Sequence, residues 1–165
     1  MLWYFDMSEL LVSCFNVIPH LETPDHYLLV EETDPQGFFN LTGGNYDPDD
    51  KILPKGAERE ATEESELITK AIGGIGLYQY PPNRLHVIFA AVVVSGEPVA
   101  SEEHPTAAFF PYDEIVAMEA AGILRGPAVL RSIDFHRQGK IIDLDQFHTF
   151  IERDRARDPA IPADR

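Results

Sequence analysis

The stretch from Arg59 to Leu67 reads REATEESEL and holds three carboxylates at spacings that a helix would bring together. Residues three and four apart share a helix face, so Glu60, Glu63 and Glu64 crowd onto one side, where like charges repel. They border an apolar stripe of Ala57, Ala61 and Ile68, while Glu58, Thr62, Ser65 and Glu66 make the opposite face, where a solvated helix keeps its charge. Three chemistries compete for such a cluster. One is a plain solvated acidic helix. A second is a calcium loop, since Asp47, Asp49 and Glu58 stand at positions 1, 3 and 12 of an EF-hand. That reading fails because Lys51 takes position 5 and Ile52 takes the position that needs glycine for its sharp turn. The third is a magnesium site, in which a hard cation takes carboxylate oxygens together with waters and substrate phosphates and cancels the repulsion. Gly43 and Gly44, just upstream, have no Cβ and allow backbone to approach a metal or a phosphate.

The surrounding pattern predicts the elements that would hold these groups. Leu10 to Ile18 and Tyr27 to Glu31 are β-branched apolar runs joined through PHLETPDH, which predicts a hairpin. Phe38 to Leu41 is a short strand running into TGG. A polar loop then leads to a helix expected from about Lys55–Ala57 to Thr69, broken by Gly73 and Gly74. Leu77 to Tyr80, Leu85 to Val94 and the edge strand AAFFP follow, with helices over Tyr112 to Ala121 and Pro127 to Arg137. Strands and helices mix without strict βαβ alternation, so the expectation is an α/β fold, a mixed sheet covered by helices. Residues 1–150 are expected to form one domain, and the charged, proline-containing 151–165 a loose tail.

With 165 residues and 44% hydrophobic content the chain can bury one core. Its 28 acidic against 13 basic side chains give a net charge of −15, which repels nucleic acid and attracts cations. The single cysteine, Cys14, lies in the apolar run LLVSCFNVI and points to a reducing, cytoplasmic setting. No run is long enough to cross a membrane, and MLWYFDMSELLV lacks the basic start of a signal peptide. A monomer or homodimer with a small-molecule partner is expected.

Gly44, Arg59, Glu60, Ala61, Glu63, Glu64 and Leu67 together resemble the Nudix box, a loop–helix–loop signature of the Nudix hydrolase family. The flanks LLVEE, LHVIFAAVVV and AAFFPYDEI are similar to the usual Nudix surroundings. LRGPAVLRSIDFHRQGK resembles the C-terminal helix of small bacterial Nudix phosphatases acting on nucleoside di- and triphosphates and on thiamine-precursor pyrophosphate. The resemblance implies a mixed sheet between helices and hydrolysis of a phosphoanhydride with Mg2+, or Mn2+, as cofactor. It implies Glu63 and Glu64 as metal ligands, Glu60 as ligand or base, Gly43 as a backbone ligand through its carbonyl, and Arg59 as the group that holds Glu60 in place. Two positions depart from the box. Asp50 replaces its first glutamate with one extra residue before Arg59, so that Asp50 is expected to serve as a support or not at all, and Glu66 replaces its last glycine. These departures keep a second reading open, a Nudix-fold module that binds a nucleotide or metabolite without turning it over. Glu102 and Glu103 are candidates for one further acid. For the substrate, Gly44 offers backbone, Tyr78, Tyr80 and Phe109 could stack on a ring, and Arg84, His86 and Arg125 could meet phosphates.

Overall fold

The computed structural model describes residues 10–144; the tail predicted for 151–165 and most of the N-terminal segment lie outside them. The strands are β1 (Leu11–Val17), β2 (His26–Thr33), β3 (Gln36–Asn40), β4 (Thr42–Asn45), β5 (Ile68–Tyr80), β6 (Arg84–Ser95), β7 (Ala107–Pro111) and β8 (Ile142–Asp143). The helices are α1 (Leu53–Ser65), α2 (Tyr112–Ala120) and α3 (Ala128–Arg137).

Two sheets form, one of five strands in the order β4-β1-β6-β5-β8 and one of three in the order β3-β2-β7. β1 runs parallel to β6 and antiparallel to β4, which makes the larger sheet mixed. β1 and β6 are apolar almost throughout because both of their faces are covered. Successive residues point to opposite faces of a strand. Cys14, Val87 and Phe89 accordingly pack with Ala57 of α1, while Phe15, Val17, Ile88 and Ala90 join Ile115 and Met118 of α2 and Val129 and Ile133 of α3. Each large side chain fully buried in this way contributes about 1.5–3 kcal/mol.

The expected hairpin forms only at the base of its connection, where Pro19 and Tyr27 make an antiparallel bridge flanked by bonds from the His20 N–H to the His26 carbonyl and from the Leu28 N–H to the Ile18 carbonyl; over their main lengths the two strands pair elsewhere. β1 takes β4 and β6 as neighbours, and β2 pairs with β3 and β7 in the other sheet. The PHLETPDH connection carries the chain from one sheet to the other, a choice made by long-range pairing that local pattern does not reveal. β7 does close the smaller sheet as an edge strand.

α1 packs against β4, β1 and β5. Ala57 and Ala61 are fully buried at the contact, their small side chains letting the helix lie close, and the Asn16 amide of β1 donates to the Ala57 carbonyl. The face expected to be solvated is partly packed. Ser65 is buried and donates to the Ala61 carbonyl, and the Glu58 carboxylate accepts the Ala71 N–H of β5. β5 therefore takes up the Glu58 side chain, which helical spacing alone assigns to water.

α1 also ends earlier than expected, at Ser65, and residues 68–80, with Gly73 and Gly74 inside them, form β5. Glu66 stops the helix by adopting the left-handed conformation (φ 59°, ψ 3°), its N–H bonding to the Thr62 carbonyl. The loss of glycine at this position has not changed the cap geometry; it has added strain of about 1–2 kcal/mol, since Cβ crowds the carbonyl in that conformation. Glu66→Gly should relieve this strain against an unfolded-state entropy cost of about 0.5–1 kcal/mol. The expected result is a melting temperature higher by about 0–6 °C. Thermal denaturation of the two proteins checks it, and a lower value would contradict the strain.

Candidate functional site

Arg59 sits at the centre of the acidic cluster. Its Nε and Nη2 grip the two oxygens of Asp50 at 2.9 and 3.1 Å, its Nη1 reaches Glu60 at 2.8 Å and Glu63 at 3.0 Å, and Nη2 also donates to the Asn45 carbonyl at 3.1 Å. The planar fork of the guanidinium suits the bidentate grip on Asp50. These bonds stabilise the guanidinium charge, and in return Arg59 holds the Asp50 carboxyl below the usual carboxylate range. Asp50 comes from a short 3-10 turn, Pro48–Asp50, capped by Asp47, whose carboxylate accepts the Asp49 N–H. The turn can lie against α1 because residue 56 is glycine: a Cβ there would stand 2.8 Å from Asp50 Oδ2. The shorter, displaced acid thus contacts Arg59 directly, and Arg59 in turn contacts Glu60.

The three glutamates are not equivalent. Glu60 and Glu64 are each 14% exposed and Glu63 is 58% exposed. Burial pushes the Glu60 carboxyl up against the pull of Arg59. Burial likewise raises Glu64, whose Oε2 accepts the Gly43 N–H at 2.9 Å and whose Oε1 lies 3.4 Å from His104 Nε2. The Nδ1 of His104 is 3.0 Å from the Glu31 carbonyl, which can only accept, so that nitrogen carries a proton. With a carboxylate facing the other nitrogen the ring favours its doubly protonated form, and its pKa is raised to about 9, chiefly by Glu64. His104 was not among the sequence-based candidates. It stands in the loop beside Glu102 and Glu103, which are exposed, and only the folded path of the chain from β6 to β7 shows that the histidine is the one that reaches α1.

Gly43 and Gly44 bring the β4 backbone against these acids. A side chain at Gly43 would run into the Cys14 carbonyl, and a Cβ at Gly44 would stand 2.7 Å from the Glu60 carboxylate. Glycine is thus what lets the β4 backbone come this close to the largely covered Glu60 carboxylate. The donors gathered here are hard oxygens, the kind that Mg2+ and Mn2+ prefer. Among the described residues no three His, Cys, Asp or Glu side chains converge on a single coordination point. The donor chemistry suits a divalent cation, while as placed here Glu60 and Glu63 face Arg59 and Glu64 faces the Gly43 N–H and His104.

A cleft of about 470 Å3 adjoins the two glycines, and Tyr80, Arg84, His86 and Arg125 all line it. The His86 ring contacts both Phe15 and Tyr80, with centroids 4.8 and 4.6 Å away, and burial lowers its pKa. The other aromatic candidates lie elsewhere. Tyr78 shares a hydrogen bond with Ser132, and Phe109 packs edge-on against His20.

A family model described as the NUDIX domain matches residues 12–130. A comparison with curated proteins returns no match. Among solved structures, a NUDIX hydrolase from Nitrosomonas europaea is 29% identical with a TM-score of 0.72, over 83% of this chain and 95% of that one. An ADP-ribose pyrophosphatase from Streptococcus suis is 24% identical with a TM-score of 0.54, over 64% of this chain and 76% of that one. The NUDIX domain of Shewanella oneidensis NrtR, solved with ADP ribose, is 15% identical with a TM-score of 0.65, over 79% of this chain and 88% of that one. The last two show likeness of fold alone.

His104→Ala removes a bond to the Glu31 carbonyl and the cationic neighbour of a largely buried carboxylate. It should lower the unfolding free energy by about 1–3 kcal/mol. Urea denaturation at neutral pH measures this, and an unchanged midpoint would show that the contact adds nothing.

Proposed function

The chain belongs to the NUDIX family and is an enzyme of its pyrophosphohydrolase kind, and on that premise we propose that it hydrolyses a small nucleoside di- or triphosphate or a related pyrophosphate, with Mg2+ or Mn2+ held by Glu60, Glu63 and Glu64. The observation that carries this reading is the arrangement around Gly43 and Gly44. An Arg59-ordered set of carboxylates lies on one side of them, and on the other is a cleft whose Arg84 and Arg125 make no ion pair or side-chain hydrogen bond among the described residues. In a chain with 28 acidic side chains, unpaired guanidinium groups in one cleft suit a polyanionic ligand.

Arg84 and Arg125 draw the phosphates in and orient them, and the glycine backbone lets the chain of phosphates pass close to α1. Arg59 fixes the Glu60 carboxylate, which accepts a proton from the attacking water as its oxygen bonds to phosphorus and the bond to the leaving phosphate oxygen breaks. A bound divalent cation supplies neutralisation of the charge that grows on the phosphoryl and leaving oxygens. Catalysis of this kind is positioning and electrostatics, which is why one arginine that holds several acids matters to it.

The test is a panel of nucleoside di- and triphosphates and thiamine-type pyrophosphates incubated with Mg2+, with phosphate and pyrophosphate assayed separately. Turnover of at least one member is expected. Binding without release across the panel would contradict the hydrolase and favour the binding module, the reading that Asp50 and its extra loop residue keep open. Glu64→Gln should cut turnover by orders of magnitude with native circular dichroism. Retention of more than about a tenth, a barrier change of only ~1.4 kcal/mol, would contradict the metal role. Asp50→Asn should cost much less, since Arg59 keeps its bonds to Glu60, Glu63 and the Asn45 carbonyl. Equal losses in the two variants would show Asp50 acting at the reacting groups themselves.

A further inference from the structure

The cleft beside Gly43 and Gly44 carries charges of both signs that leave each other alone. Glu32 and Asp34, from the end of β2 and the turn after it, line the same space as Arg84 and Arg125, yet no acid–arginine pair among the four comes within 4.0 Å. Opposite charges on flexible side chains in one cleft pair when they can reach each other. All four line one cleft without pairing, which leaves both signs of charge available to a ligand there. Glu32 is also pre-oriented: it is half-buried, its Oε1 accepts the Asn40 amide at 2.9 Å, and its Oε2 has no partner among the described residues. The same cleft is lined by the tilted rings of Phe15, His86 and Tyr80.

A ligand that suits this cleft combines an anionic group, a flat ring and a hydrogen-bond donor. We propose that the group carried on the diphosphate is a planar heterocycle bearing an exocyclic amine, which donates to Glu32 while the phosphates meet Arg84 and Arg125. This deepens the hydrolase reading above and rests on it for the place of the phosphates. A carboxylate oxygen with one free acceptor position favours an amine. Where a carbonyl oxygen stands in place of that amine, as in uracil and hypoxanthine, two acceptors face each other and repel. Cytosine and adenine are in the favoured class, uracil and hypoxanthine in the disfavoured one. Asp34, exposed at the rim, adds negative potential without a fixed geometry.

Binding separates this from turnover. Calorimetry with Mg2+ and the non-hydrolysable α,β-methylene analogues of CDP, UDP, ADP and IDP gives dissociation constants for the intact protein, and hydrolysis of the parent diphosphates is followed in parallel. The cytosine and adenine ligands should bind about tenfold or more tightly than their carbonyl counterparts, the margin expected of one hydrogen bond to a charged group. In Glu32→Gln the margin should collapse to within about threefold, because a carboxamide can turn either its oxygen or its amide to the ring. A margin that survives in Glu32→Gln, or is absent in the wild type, overturns the proposal whether or not the diphosphates are hydrolysed. A full margin without hydrolysis of the diphosphates supports it and contradicts only their assignment as substrates, which the wider panel above decides separately.

Discussion

Two of the three carboxylates that border the helix's apolar stripe, Glu60 and Glu63, are held there together with Asp50 by one guanidinium. Arg59 spends every edge of its fork on the cluster, two bonds to Asp50, one each to Glu60 and Glu63, and one to a backbone carbonyl. Much else follows from keeping that group in place. Residue 56 must be glycine to admit the turn that carries Asp50, and Gly43 and Gly44 leave the acids room against β4. Ala57 and Ala61 must be small so that α1 lies close enough to the sheet for its edge to reach the glycines.

The third glutamate is held by other means. Glu64 turns away from Arg59 toward the Gly43 N–H and His104, and His104 is tied to β2 through the Glu31 carbonyl. The loop between β6 and β7 and the end of β2 are thereby linked to α1 by one imidazole, which joins the smaller sheet to the acidic helix. The acids as a group are divided, one part balanced by an arginine from the same helix and the other by a histidine more than thirty residues downstream in the sequence.

What could be read from the sequence tracks how local each feature is. The acidic helix, its glycine-rich approach and the buried strands around Cys14 and Phe89 are set by spacing and apolar runs, and the sequence shows them. The partner of β1 could not be read, because an apolar strand with both faces covered carries no mark of its neighbour. Helical spacing placed Glu58 in water because it holds no record of β5, whose Ala71 N–H the carboxylate accepts. Glu66, which departs from the glycine of the box, still takes the left-handed cap, which the tertiary fold imposes on a glutamate. His104 was hidden for the same reason, since its meaning depends wholly on a residue distant in sequence.

The central claim is that the carboxylates on α1 form a divalent-cation site and not a merely solvated face. The measurement that bears on it most directly is the melting temperature of wild type and Glu63→Gln in MgCl2 and in NaCl of equal ionic strength. A site with one Mg2+ bound only by the folded chain stabilises it by about 2.7 kcal/mol at 100 times the dissociation constant, whereas screening depends on ionic strength alone. The account predicts a saturable rise with Mg2+ beyond that with NaCl in the wild type, and a smaller one in Glu63→Gln. Coincident curves in the two salts would contradict it.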